Sequence, residues 1–261
     1  MDQTSSQNTG KIIASVVKAI HILELLSTAA DGLTATEISQ EMGQSVSATY
    51  HILNTLKQQN MIRQSDSRKY YIGSGLFQIA ENARGKDTLT RLAAENLKAL
   101  SILTGETSNL VVLRDLEVEY IAQAESAQLL KMFTQIGARV PYYCTGGGKA
   151  ILAYLPAPIQ QKIISRTKFT KFTEHTLATA SALISQLAEI RSQGFALDRE
   201  ERESGVTCIA APIFNYQGEV ICALSISGPT ARLNQKGIEE LSQHVITAAA
   251  EISHLYGYAR V

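Results

Sequence analysis

"GLTATEISQEMGQSVSATYHILNTLKQQNMIRQSDSRKYYIG" (residues 32–73) contains two short helical patterns, a glycine between them, and two short β-type runs. Thr34 followed three residues later by Glu37 is the spacing of a capping box, so a helix is predicted to start there and to stop at Gly43. Ser45 is the natural N-cap of the next helix, with Ile52, Leu53 and Leu56 as its buried stripe and Asn60 at its exit. "MIRQ", "SDSR" and "KYYIG" then read as strand, turn and strand. Two helices joined by a tight turn and followed at once by a hairpin predict a winged helix-turn-helix.

In such a module the second helix of the pair enters the major groove, and the wing reaches the phosphate backbone. Ser45, Ser47, Thr49, Tyr50 and His51 are the candidate base-reading groups on its first turns. Thr34, at the start of the preceding helix, and Arg63, Arg68 and Lys69, on the wing, complete the candidate DNA-binding set. The charge balance is thin: Lys11, Lys18, Lys57, Arg63, Arg68 and Lys69 against Glu24, Asp31, Glu37, Glu41 and Asp66 leave +1. Phosphate neutralisation carries much of DNA affinity, so one copy is predicted to bind weakly and a dimer to read two half-sites.

Upstream, residues 12–26 place Ile13, Val16, Val17, Ile20, Leu23 and Leu26 on one face of a first helix. Downstream, Leu76, Ile79, Ala80 and Ala83 make a short helix, and a polar break at 85–87 marks a domain boundary. The organisation predicted is a DNA-binding domain over 10–75, a linker helix over 76–87 and a second domain over 88–261. In the second domain a helix over 89–103 precedes paired strands in "TSNLVVLRD" and "EVEYIAQAE". "LLKMFTQIGARVPYYCTGGGKAILAYL" suggests a further strand, a loop and then a helix that begins at Gly146–Gly148. "ALISQLAEIRSQG" is helical, "GFALD", "GVTCIAAPIF" and "EVICALSIS" are strands, and a long helix over 235–256 closes the chain. The fold class is α+β.

The chain has 261 residues, enough for two domains at about 100–200 residues each. At 45% hydrophobic and 18% charged residues it is globular, and its zero net charge gives no hint of nucleic acid. No apolar run approaches the roughly 18–20 residues of a membrane span, and the first residues lack a signal peptide's apolar segment, so a cytoplasmic protein is predicted. Cys144, Cys208 and Cys222 have no C-x-x-C spacing and point to neither a disulfide framework nor a zinc site.

"TGGGKA" at 145–150 invites comparison with a phosphate loop. The P-loop pattern fails on both sides: Tyr143 stands where its first glycine is required, and Ala150 follows Lys149 where Ser or Thr is required. What remains is a helix start at which backbone N–H groups can approach a carboxylate or another small anion. No nucleophile elbow, metal motif or triad spacing links Cys208, Cys222 or Ser225 to His175, His244 or His254 as an enzyme would need. No cofactor is predicted.

"SVVKAIHILELLS", "GLTATEISQEMG", "HILNTL", "YYIGSGL", "YYCTGGGKAILAYLP" and the long segment 194–233 together resemble the isocitrate lyase regulator (IclR) family of bacterial transcription factors. The resemblance runs in order along nearly the whole chain. It implies an N-terminal winged helix, a linker helix and a C-terminal effector domain of GAF-like or profilin-like α/β fold, in dimers or tetramers. It also implies a regulator of metabolic genes, most often a repressor, whose operator DNA affinity answers to a small organic acid or aldehyde. Activation, or a DNA-binding adaptor without an effector, are the alternatives. The implied effector-binding residues are Gly146, Gly147, Asp198, Cys208, Ser225 and Ser227, with Met132 and Val140 as an apolar wall. Where family members commonly read "STVHRLL", this chain has Ala48 and His51 in place of the threonine and arginine, which implies a different operator, with Thr49 and Tyr50 as substitute readers.

Overall fold

A computed structural model of the chain describes residues 12–83 and 88–259; Lys11, the break at 85–87 and the outermost ends of the two predicted domains lie outside them. The chain divides into two compact units, Met1–Lys86 and Asp87–Val261.

The first unit contains α1 (Ala14–Thr28), α2 (Ala35–Glu41), α3 (Val46–Gln58), the hairpin β1 (Ile62–Gln64) and β2 (Tyr70–Ile72), and α4 (Ser74–Ala83). Its core is Ile22 and Leu26 of α1, Ile38 of α2, Leu53 and Leu56 of α3, and Ile62 and Tyr70 of the hairpin. Burying each such aliphatic side chain contributes roughly 1.5–3 kcal/mol, which offsets the cost of ordering these short helices. The helix starts are those the sequence implied. Thr34 N–H donates to Glu37 Oε2 at 2.7 Å, Glu37 N–H donates back to Thr34 Oγ1 at 3.3 Å, and Ala48 N–H donates to Ser45 Oγ. Gly32, at φ +64, turns the chain so that Leu33 bridges to Tyr70, tying the loop before α2 to the wing.

The second unit is one six-stranded antiparallel sheet in the order β5-β4-β3-β8-β7-β6. Its strands are β3 (Thr107–Arg114), β4 (Glu117–Ala124), β5 (Arg139–Pro141), β6 (Ala196–Arg199), β7 (Val206–Phe214) and β8 (Val220–Pro229). The helices are α5 (Thr88–Thr104), α6 (Gly146–Tyr154), α7 (Ala157–Ser165), α8 (Ala180–Gln193), α9 (Thr230–Lys236) and α10 (Ile238–Leu255). Strand alternation sorts the side chains into two cores. Leu110, Ile209, Leu224 and Ile226 pack with Leu97 of α5 and Val245 and Ile252 of α10. Val111, Ala210 and Ala223 pack on the opposite face with Ile151 of α6 and Leu187 of α8. This is the α/β arrangement implied for the effector domain.

Three expectations are corrected. The strand expected after Gln128 is short and follows a loop instead of preceding one: Leu129, Leu130, Phe133 and Ile136 are exposed, and of this stretch only Arg139–Pro141 pairs with β4. The long closing helix is broken at Gly237, whose φ of +91 separates α9 from α10. Helix α7 has no counterpart among the expected elements, because "APIQQKIIS" follows Pro156 and carries Pro158, helix breakers that sit here at its cap and first turn.

Candidate functional site

On the first unit, α3 exposes Ser47, Tyr50 and His51 on its N-terminal half, with Ser45 as its cap. Thr49 is a correction: it is fully buried and its hydroxyl donates to Ser45 O at 3.2 Å, so it belongs to the inward face. Thr34 Oγ1 is engaged by Glu37 Oε2 at 2.8 Å and presents no free hydroxyl. On the wing, Arg68 is exposed at the turn, and the Arg63 guanidinium lies 4.5 Å over the Tyr71 ring, which holds it outward on a defined platform. Lys69 is half-buried, with Nζ donating to Asp31 O at 3.3 Å.

On the second unit, one polar row crosses the sheet: Asp198 pairs in register with Cys208, Cys208 with Ser227, and Ser227 with Thr107. Two residues along, Ala210, Ser225 and Asn109 form a parallel row. Both rows face the α6 side, and the start of α6 lies over them. This close approach is why glycines are needed. A Cβ on Gly147 would lie 2.4 Å from Val111 Cγ2, and one on Gly146 would lie 3.3 Å from Ala210 Cβ. The cavity enclosed by Tyr120, Thr145, Gly146, Gly147, Cys208, Ser225 and Ser227 leaves about 10 Å³ of free space, room for about one water.

Lys149 is no phosphate ligand. It is fully buried, its Nζ donates to Leu197 O at 2.5 Å, and it is paired with Glu201. Asp198 is 2% exposed and accepts from Glu201 N–H at 2.7 Å. Burial pushes its carboxyl up to about 7, with Lys149 pulling the other way and Glu201 adding to the rise. Cys208 Sγ lies 3.0 Å from Ser227 Oγ, and burial raises the thiol so that it stays protonated. The cavity is thus lined by neutral hydroxyls, a thiol and backbone N–H groups together with the side chains of Val111 and Val118, a set suited to a small anion with an apolar part.

The structure brings together Gly146, Gly147, Cys208, Ser225 and Ser227, and sets Asp198 one strand beyond Cys208. Met132 and Val140 do not line this cavity: Met132 O accepts from Thr107 Oγ1 at 3.2 Å, and Val140 packs beside the α6-side core. Sequence reading missed Val111, Val118 and Tyr120. Their signal is cross-strand pairing, Val111 with Ala223 on one side and Tyr120 on the other, which needs the register of β3 against both β8 and β4. The histidines lie apart from the cavity, and no cluster of three or more potential metal ligands occurs among the described residues.

Comparison with known proteins agrees with this division. Residues 15–66 match the IclR helix-turn-helix domain, and residues 83–254 match the family described as bacterial transcriptional regulator IclR, C-terminal. The chain is 35% identical over 243 residues to the HTH-type transcriptional regulator BhcR of Paracoccus denitrificans, covering 92% of this chain and 86% of that protein. It is 35% identical to the regulator KdgR of Escherichia coli, covering 94% of each. The crystal structure of the Thermotoga maritima IclR superposes with a TM-score of 0.64 at 28% identity, over 94% of this chain and 99% of that one. A winged helix-turn-helix and an α/β domain, matched in order along the chain by these profiles and relatives, make it a member of the IclR family of DNA-binding transcriptional regulators.

Proposed function

We propose that the protein is a repressor of metabolic genes that acts in the cytoplasm as a homodimer or homotetramer, and that a small organic acid or aldehyde in the second unit controls its operator affinity. The observation that carries the reading is the neutral polar row under the glycine start of α6, where hydroxyls of Ser225 and Ser227, the Cys208 thiol and the backbone N–H groups of Gly146 and Gly147 converge. These donors satisfy a carboxylate without a buried cation, since Lys149 is already committed to Glu201. A ligand shifts DNA affinity only if it binds two states of the protein unequally. The closed cavity, with about 10 Å³ free, supplies such a difference, because a bound acid requires it to widen. Base reading belongs to Ser47, Tyr50 and His51, and phosphate contact to Arg63, Arg68 and Lys69. The division into a DNA-binding domain, a linker helix and an effector domain follows the same reading.

The test is fluorescence anisotropy of the full chain on the duplex upstream of its own gene, against a scrambled duplex, at two salt concentrations. Preferential binding that weakens with salt and is released by small acids or aldehydes is expected. Binding that no acid or aldehyde alters would remove the effector half of the proposal.

A further inference from the structure

The turn between β3 and β4, the end of α6, one side of α7 and the start of β8 enclose a groove of about 370 Å³. That lies within the range of about 300–1,000 Å³ of small-molecule sites. Ile151 and Leu155 of α6, Val220 of β8, Leu116 of the turn, and Ile159 and Ile163 of α7 face it. Ile151 is buried at its base, whereas Ile159 is exposed at its edge. The groove shares α6 with the cavity described above but none of its lining residues.

Every uncharged side chain of the lining is leucine, isoleucine or valine. A hydrocarbon chain gains by burial there, and a flat aromatic ring finds no ring to pack on. The charged lining residues are Lys162 and Arg166 of α7 and Asp115 of the turn, two cations against one carboxylate, which leaves +1. Ile159, Lys162, Ile163 and Arg166 follow the i, i+3, i+4, i+7 spacing, so one stripe of α7 presents apolar and cationic groups together. Among the described residues, none of the three charged groups has an ion-pair partner. Other exposed charges of this unit do: Lys131 pairs with Glu125, and Lys171 with Glu174. Two cations without a counter-charge beside an aliphatic lining complement an anionic head on a hydrocarbon chain.

We infer that the groove is a second ligand site and takes a medium-chain aliphatic monocarboxylate, its carboxylate at Lys162 and Arg166 and its chain along Ile159, Ile163 and Leu155. Asp115 disfavours a second carboxylate on the same chain. The site is separate from the effector cavity and does not depend on that reading.

The test is isothermal titration calorimetry of the full chain with hexanoate, octanoate and decanoate, each below its aggregation concentration, and with octan-1-ol and octanedioate. Affinity is expected to rise about fourfold per added CH2 along the monocarboxylates. Octanoate binds roughly fivefold or more tightly than octan-1-ol at low salt, and more tightly than octanedioate. Lys162→Gln with Arg166→Gln, at exposed positions, removes the advantage of the acid and leaves the alcohol as it was. Ile159→Glu weakens acid and alcohol together, and Ser225→Ala changes neither. Absence of octanoate binding, affinity that does not grow with chain length, or wild-type affinity in the Lys162 and Arg166 double variant would each overturn the assignment. Loss of octanoate binding in Ser225→Ala, with the double variant unaffected, places the acid in the α6 cavity instead and overturns it too. Sedimentation of wild type and Ile159→Glu tests the rival occupant: a changed oligomeric state, with no acid bound by wild type, means that a second copy of the chain covers the groove and the inference falls.

Discussion

Asp198 carries a proton in the folded protein at pH values where a solvated aspartate has lost it. Its carboxyl is raised from 3.8 to about 7, so between those values the folded state binds more protons than the unfolded one, and stability falls as pH rises through the window. A rise of this size corresponds to something on the order of 4 kcal/mol across the window. Asp198→Asn keeps the oxygen that accepts from Glu201 N–H and removes the titration. Urea denaturation at pH 5 and pH 8 is expected to show a smaller difference for the variant than for wild type, and an unchanged difference would mean that Asp198 is ionised throughout. Lys149 poses the converse case. Lys149→Met leaves the Glu201 carboxylate buried without its cation, a loss of about 3–5 kcal/mol by urea melts, and adding Glu201→Leu is expected to restore most of it.

Helix starts are legible in the sequence because their causes are local. The Thr34–Glu37 box and the Ser45 cap each need only a few consecutive residues, and Thr34→Ala is expected to cost about 1 kcal/mol in thermal unfolding. Alternation likewise marks the long strands of the second unit, whose faces are separated by type. What is illegible depends on distant partners. Thr49 reads as a polar residue on the groove face, yet its hydroxyl is satisfied by its own helix and its methyl turns inward. The stretch 125–138 is apolar enough for a strand, but its fastening runs through side chains: Ser126 to Gly105 O, Thr107 to Met132 O, and Arg232 to Leu130 O at 3.0 Å. Asn109 is equally illegible, because the partner of its buried amide is Thr134, 25 residues further on. At α6, Gly147→Ala is expected to destabilise by about 1–3 kcal/mol through its clash with Val111, and Val111→Ala in the same chain to relieve it, as thermal unfolding of the single and double variants would show.

For the whole molecule, the winged helix has few cations to spare. Arg63 and Arg68 are its exposed wing cations, and Lys57 Nζ donates to Gln64 Oε1 at 3.3 Å. Alanine at both Ser47 and Tyr50 is expected to reduce preference for the cognate duplex over a scrambled one by tenfold or more, while leaving the salt dependence nearly unchanged. Equal loss on both duplexes would assign those residues to the backbone instead. The six-stranded sheet of the second unit keeps its polar rows on one face and the Leu224–Ile226 packing with α5 and α10 on the other. Changes of taste therefore have a surface of their own. New side chains at 208, 225 or 227 can accumulate, and a descendant can come to answer a different metabolite, while the opposite face of the sheet keeps the domain folded.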